Sequence, residues 1–261
     1  MTEYEIIATV IAGFALIQPW AMWVFKKIFR KIKVSFMPSA KIKLFYNRSG
    51  AYLLMGGVIE SKNQNCVVKN ISAKVIRQKD NAELKLGWSS FISPINQSVG
   101  NNFINTNENA RPFKIVANEL SPIFVELANE DENVNNRLFE IYNKITLDTD
   151  KMLKQNPNMN FDKAKEEFSK NSNYKKSKQE LLEDFYWKES AYVVEFVIVY
   201  NNNRRIVYKY QFDINKKESA SLKENIDTAL YLELNRLYSM PYNFSCPQKE
   251  YVECQHSQKE K

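Results

Sequence analysis

The sequence predicts a mainly β protein. A single transmembrane helix is followed by an antiparallel, immunoglobulin-like β-sandwich with a helical insertion, and then by a C-terminal helix. Three observations carry that prediction. An uncharged apolar run of 20 residues, Ile6 to Phe25, stands near the N-terminus. Past residue 34, apolar residues recur with period two in short segments bounded by turn-forming residues. Around 130–187 and 218–240 the period lengthens to that of a helix.

The first run is long enough to cross a bilayer, since 20 helical residues span about 30 Å. Its anchor residues are Ile6, Ala8, Ala12, Gln18, Pro19, Trp20, Trp23 and Phe25. Trp20 and Trp23 sit near its basic end, where indoles favour the headgroup layer. A cleaved signal peptide would begin basic and end in small residues, whereas this segment begins with Glu3 and Glu5 and ends in Trp, Phe and Lys. Lys26, Lys27, Arg30, Lys31 and Lys33 follow the run and no Lys or Arg precedes it. Cations flanking a span stay on the cytoplasmic side. The N-terminus is therefore expected outside and residues 34–261 in the cytoplasm, with the five cations against lipid headgroups. Ala8 and Ala12 share a helix face of the small-residue kind that packs helices in membranes, and Gln18 can hydrogen-bond a neighbour, so self-association through the span is open.

The strand segments follow in order. "KIKLFYN" (41–47) puts Ile42, Leu44 and Tyr46 on one face, and "AYLLMGGVIESK" (51–62) follows a turn at Asn47–Gly50. "CVVKNISAKVIRQ" (66–78) and "AELKLGWSSF" (82–91) alternate around the short polar link Lys79-Asp80-Asn81, a hairpin signal. Trp88 is a candidate core aromatic of the sandwich. "SPIFVELAN" (121–129) alternates Ile123, Val125 and Leu127. "AYVVEFVIVY" (191–200) and "RIVYKYQFDI" (205–214) form the strongest hairpin signal, joined through Asn201–Asn203, because asparagine tolerates positive φ.

Between the strand groups, Leu138, Ile141, Tyr142 and Ile145 line one helix face, and Asn156-Pro157-Asn158 breaks the helix. A second helix is expected from Phe161 towards Trp187, with "SKNSNYKKSK" (169–178) as an exposed turn for want of an apolar face. The final helix, 218–240, is expected to begin in a capping box at Ser221–Glu224 and to end at Pro241. The domain limits are thus 1–33 for the anchor, 34–240 for the soluble domain and 241–261 for a polar, flexible tail.

Composition narrows function. The net charge is +7; removing the five juxtamembrane cations and the two N-terminal carboxylates leaves about +4 on the rest, so nucleic acid is not the expected partner. Six glycines argue against phosphate loops, and three cysteines make a poor disulfide framework, as in a reducing compartment. The one histidine, His256, lies in the polar tail, and no Ser–His or Cys–His set is evident. Cys246, Cys254 and His256 match no common zinc spacing. Glu130-Asp131-Glu132 and Glu166-Glu167 read as solvated helix faces. Tyr208 and Tyr210 have the alternation of a base-stacking strand but suit sheet packing better. No catalytic residue, metal site or cofactor is assigned.

The expected protein is a single-pass, non-enzymatic binding or sensor protein. Its partners are the lipid bilayer and a protein or small ligand, with Arg204 and Arg205 at the late hairpin as the candidate partner contact. Two alternatives stand beside it. One is a membrane-perturbing effector of a bacterial defence or toxin type, whose spans assemble when the cytoplasmic domain senses a signal. The other is an enzyme with an unrecognised carboxylate site.

Overall fold

The computed structural model describes residues 2–29, 31–39, 41–92, 97–99, 102–104 and 107–259. Helix α1 (Glu3–Phe29) carries an apolar stretch, Glu3–Phe25, long enough to span a membrane, and no part of it is buried against the rest of the molecule. Pro19 lies inside it. Strands β1 (Lys33–Pro38), β2 (Lys41–Asn47), β3 (Gly50–Lys62), β4 (Cys66–Arg77) and β5 (Ala82–Ile92) follow. Then come the short β6 (Gln97–Val99), β7 (Asn102–Ile104), β8 (Asn107–Asn109) and β9 (Phe113–Ile115), and the long β10 (Leu120–Asn129). Helices α2 (Glu132–Gln155), α3 (Phe161–Lys170) and α4 (Ser172–Glu183) form the insertion. The hairpin β11 (Ser190–Tyr200) and β12 (Arg204–Ile214) leads to α5 (Lys216–Leu230), α6 (Leu232–Leu237), β13 (Gln248–Glu250) and β14 (Val252–Lys259).

The mainly antiparallel β architecture holds, but the immunoglobulin-like sandwich is not confirmed. One sheet takes in twelve strands, nine along the path β13-β2-β3-β10-β5-β4-β11-β12-β14, with β1 on β3, β8 on β5 and β9 on β4 beside it. Strand spacing in a sequence does not say whether strands divide between two sheets or share one. Here β3 is long enough to pair with β2 over Gly50–Leu54 and with β1 over Gly57–Lys62 along one edge. Register shifts at Glu126/Leu127, Val199/Tyr200 and Lys209/Tyr210 mark irregularities of the kind that bend strands and increase twist. The sheet nearly closes on itself, because its two terminal strands, β13 and β14, are consecutive in the chain and separated only by Tyr251.

That closure corrects the expectation of a loose tail. "QKE" and "VECQHSQK" have no apolar alternation, yet β13 pairs with β2 and β14 with β12. Backbone hydrogen bonds hold them where side-chain pattern is silent. The Tyr251 hydroxyl donates to the Ser39 carbonyl, and Lys249 Nζ meets Glu218 Oε1 of α5 at 2.8 Å.

The alternation predicted for the strands is the burial observed. Ile42, Leu44, Tyr46, Ile71, Ala73, Val75, Leu84, Leu86, Ile123, Val125 and Leu127 all lie in the core. Trp88 is half-buried and packs edge-on to Phe91 and Phe113. Asn201 and Asn203 take φ of 44° and 62°, as the β11–β12 turn demands.

Two helical expectations need correction. Residues 172–183 are helical: α4 buries Tyr174, Ser177 and Leu181, a face hidden in the sequence by its central serine. The break falls earlier, at Asn171, whose side chain accepts from the Asn173 amide and caps α4. The final helix starts before Ser221, because Asn215 and Glu218 form the capping box as soon as β12 ends. Trp187, fully buried, donates from Nε1 to the Phe45 carbonyl at 2.7 Å and ties the end of the insertion to β2.

Candidate functional site

The strand registers give the domain two ends. Lys33 of β1 lies opposite Lys62, so the end of β3 and the beginnings of β4 and β10 sit at the anchor end. The β2–β3 turn, the end of β10 and the start of β11 sit at the far end.

At the far end, a cleft of about 510 Å³ opens between the β2–β3 turn and α2. Gly50, with φ of +81°, permits the turn that presents Arg48 and Ser49. Ala128 and Asn129 close one side, while α2 supplies Asn135, Phe139, Tyr142, Asn143 and Thr146. The start of α2 is fixed by Asp131, whose carboxylate accepts from the Asn133 and Val134 amides. Asn135 Nδ2 donates to the Asn129 carbonyl at 2.9 Å.

Arg48 lies over the Tyr142 ring at 5.4 Å, and its Nε donates to the Ala229 carbonyl at 3.3 Å. Arg48 Nη2 and the Tyr142 hydroxyl are both buried, and neither has a hydrogen-bond partner among the described residues. Tyr142 is only 4% exposed. Its burial raises the hydroxyl above the usual tyrosine range; Tyr46 adds to the shift and Arg48 opposes it. Phe139, by contrast, is 70% exposed at the cleft. None of the nine lining residues is acidic. Chemically, the cleft presents three amides and an aromatic surface beside Arg48 and Tyr142, whose buried Nη2 and hydroxyl lie beneath it without partners among the described residues. That set suits a ligand that offers acceptors.

The anchor residues named from the sequence, Ile6, Ala8, Ala12, Gln18, Pro19, Trp20, Trp23 and Phe25, are all exposed on α1. Trp20 and Trp23 meet edge to face at 6.5 Å. Lys31 and Lys33 are exposed where α1 gives way to β1; Arg30 and the side chains of Lys26 and Lys27 lie outside the described residues. Arg204 and Arg205 are the first two residues of β12, opposite Tyr200 and Val199, at the anchor end rather than beside the cleft.

The other candidates have structural work. Asp131 caps α2, and Glu166 and Glu167 pair with Lys170. Tyr208 and Tyr210 face inward, and the Tyr208 hydroxyl accepts from the Phe36 amide at 2.8 Å. Cys246 is half-buried and burial pushes its thiol up to about 11; Cys254 is exposed, and the His256 side chain lies outside the described residues. Among the described residues no three or more His, Cys, Asp or Glu side chains are placed to hold a metal ion.

Sequence reasoning did not find the cleft. Asn135, Phe139, Tyr142, Asn143 and Thr146 recur at helical spacing on α2, beside the buried face, and that second face was the available signal. No family model, curated protein or solved structure matches the chain.

Proposed function

We propose that this is a single-pass, membrane-anchored, non-enzymatic binding or sensor protein, with its β domain on the cytoplasmic side and its ligand cleft at the end far from the membrane. The carrying observation is α1, apolar across Glu3–Phe25 and covered nowhere by the domain. A core helix of this composition would be buried. Length and composition fit a signal sequence equally, but the acidic start and the Trp, Phe and Lys finish favour a retained anchor. The cations after the span favour a cytoplasmic domain. The cleft supports binding, because it joins an aromatic surface to three amides in a concave site, and two of the four buried side-chain atoms without a partner among the described residues belong to residues that line it.

The test is protease protection of a C-terminal tag in osmotically opened cells. On this reading the tag stays intact until detergent is added. A tag cut without detergent puts the domain outside and overturns the orientation. A mature protein lacking α1 overturns the anchor.

A further inference from the structure

We propose that the anchor end of the domain is a second membrane-contact surface, seated on anionic lipid headgroups. The inference rests on the reading of α1 as a membrane anchor and adds a fixed orientation of the domain on the bilayer.

Chain length comes first. Three residues separate Phe29, the last of α1, from Lys33, the first of β1. A chain covers at most about 3.3–3.6 Å per residue, so Lys33 lies within roughly 14 Å of the helix end. Whatever shares that end of the sheet with Lys33 is held close to the headgroups.

Rigidity comes second. Four asparagine side chains stitch the loops there. Asn63 Nδ2 donates to the Lys31 carbonyl at 2.9 Å, and Asn118 Oδ1 accepts from the Asn63 amide at 3.4 Å. Asn65 Oδ1 accepts from the Ala117 amide, and Asn201 Oδ1 from the Val67 amide, each at 2.9 Å. The segment leaving the span, the β3–β4 link, the loop before β10 and the β11–β12 hairpin therefore form one fixed rim.

Chemistry comes third. The rim carries Lys31, Lys33, Lys62, Lys114, Arg204 and Arg205, against Glu60 and Glu119. Lys62 meets Glu60 at 3.5 Å. Among these cations stand three exposed apolar side chains, Val67, Val116 and Leu120, the last 63% exposed. Cations interleaved with apolar side chains suit a surface with negative headgroups above hydrocarbon. Arg204 and Arg205, the candidate partner contact of the sequence reading, fall within this set.

The test uses the full chain in lipid nanodiscs of pure phosphatidylcholine, or of phosphatidylcholine with phosphatidylserine. In a Cys246→Ser, Cys254→Ser background, a fluorophore is placed at Leu120→Cys or, at the far end, at Asp80→Cys, and an aqueous quencher is added. Cys66 is fully buried and does not compete for label. The expected result is shielding at position 120 with phosphatidylserine only, none at position 80, and loss of shielding in high salt. Replacing Lys62, Lys114, Arg204 and Arg205 by Gln should lower the docked-to-free ratio at least about tenfold, and Glu119→Lys should raise it. Position 120 equally open to quencher in both lipids, or shielding indifferent to both charge changes, overturns the proposal alone. A chain that does not stay in the discs overturns the anchor and this proposal together.

Discussion

The two ends of the domain treat polar groups in opposite ways. At the anchor end, Asn63, Asn65, Asn118 and Asn201 each hold a backbone group of another loop, or are held by one. At the far end, Arg48 Nη2 and the Tyr142 hydroxyl are buried without a partner, beside an exposed Phe139. Satisfied polar groups fix loops in one arrangement, and unsatisfied ones cost stability until something supplies an acceptor. One end has its loops tied by paired polar groups, and the other keeps two polar atoms unpaired among the described residues.

Trp187 supports the far end most, because it ties the insertion to β2. Trp187→Ala should lower stability by about 3–5 kcal/mol, through lost burial and the Phe45 hydrogen bond. Urea unfolding of the full chain in detergent reads this; a loss under about 1 kcal/mol would mean that the insertion is held elsewhere. Next is Asn201, which joins positive φ to a side-chain hydrogen bond. Asn201→Ala should cost about 1–2 kcal/mol, since both are lost. Asn201→Gly keeps the backbone freedom and should cost less, and equal losses would show that the hydrogen bond alone matters.

A smaller effect of opposite sign is expected in the cleft. Tyr142→Phe removes a hydroxyl that is desolvated without return, so it should leave stability unchanged or raise it by up to about 1 kcal/mol. A clear loss in thermal unfolding would reveal a partner for that hydroxyl and erase the contrast between the ends. Smallest is the pH dependence of the β4–β5 hairpin. The Arg77 guanidinium beside Asp80 lowers that carboxyl to about 2. The depressed value means that the pair stabilises fully above the unfolded value near 4 and is lost as pH falls through about 2. Wild type and Asp80→Asn should therefore differ at pH 6 and converge near pH 2; a gap that persisted in acid would assign the effect to packing.

Much of the fold was legible because half-buried strands write their burial in alternate residues. Leu84 and Leu86, or Ile123, Val125 and Leu127, needed no structure to be placed inward. The closing strands were not legible, since Gln248–Glu250 and Val252–Lys259 are held by backbone groups that every residue carries. Nor was α4, whose buried face centres on Ser177. Only Tyr142 of the cleft stood out in the sequence, as a core residue. That Arg48 lies above it depends on how α2 packs on the β2–β3 turn, which no local pattern encodes. The positive φ of Asn201 and Asn203 was legible from the hairpin they join, but that of Asn63, Asn81 and Asn118, and the side-chain bonds of Asn63, Asn65 and Asn118 between loops, were not.

The near-closed sheet also sets an order of events. Lys43 of β2 pairs with Gln248 of β13, so one of the first strands made waits for one of the last. During synthesis the apolar α1 leaves the ribosome before the strands described, while the segment that seals the sheet follows every other one of them. Pairings so distant in sequence form slowly. The sheet therefore stays open, with two unpaired edges, until β13 and β14 emerge, long after α1 has been made.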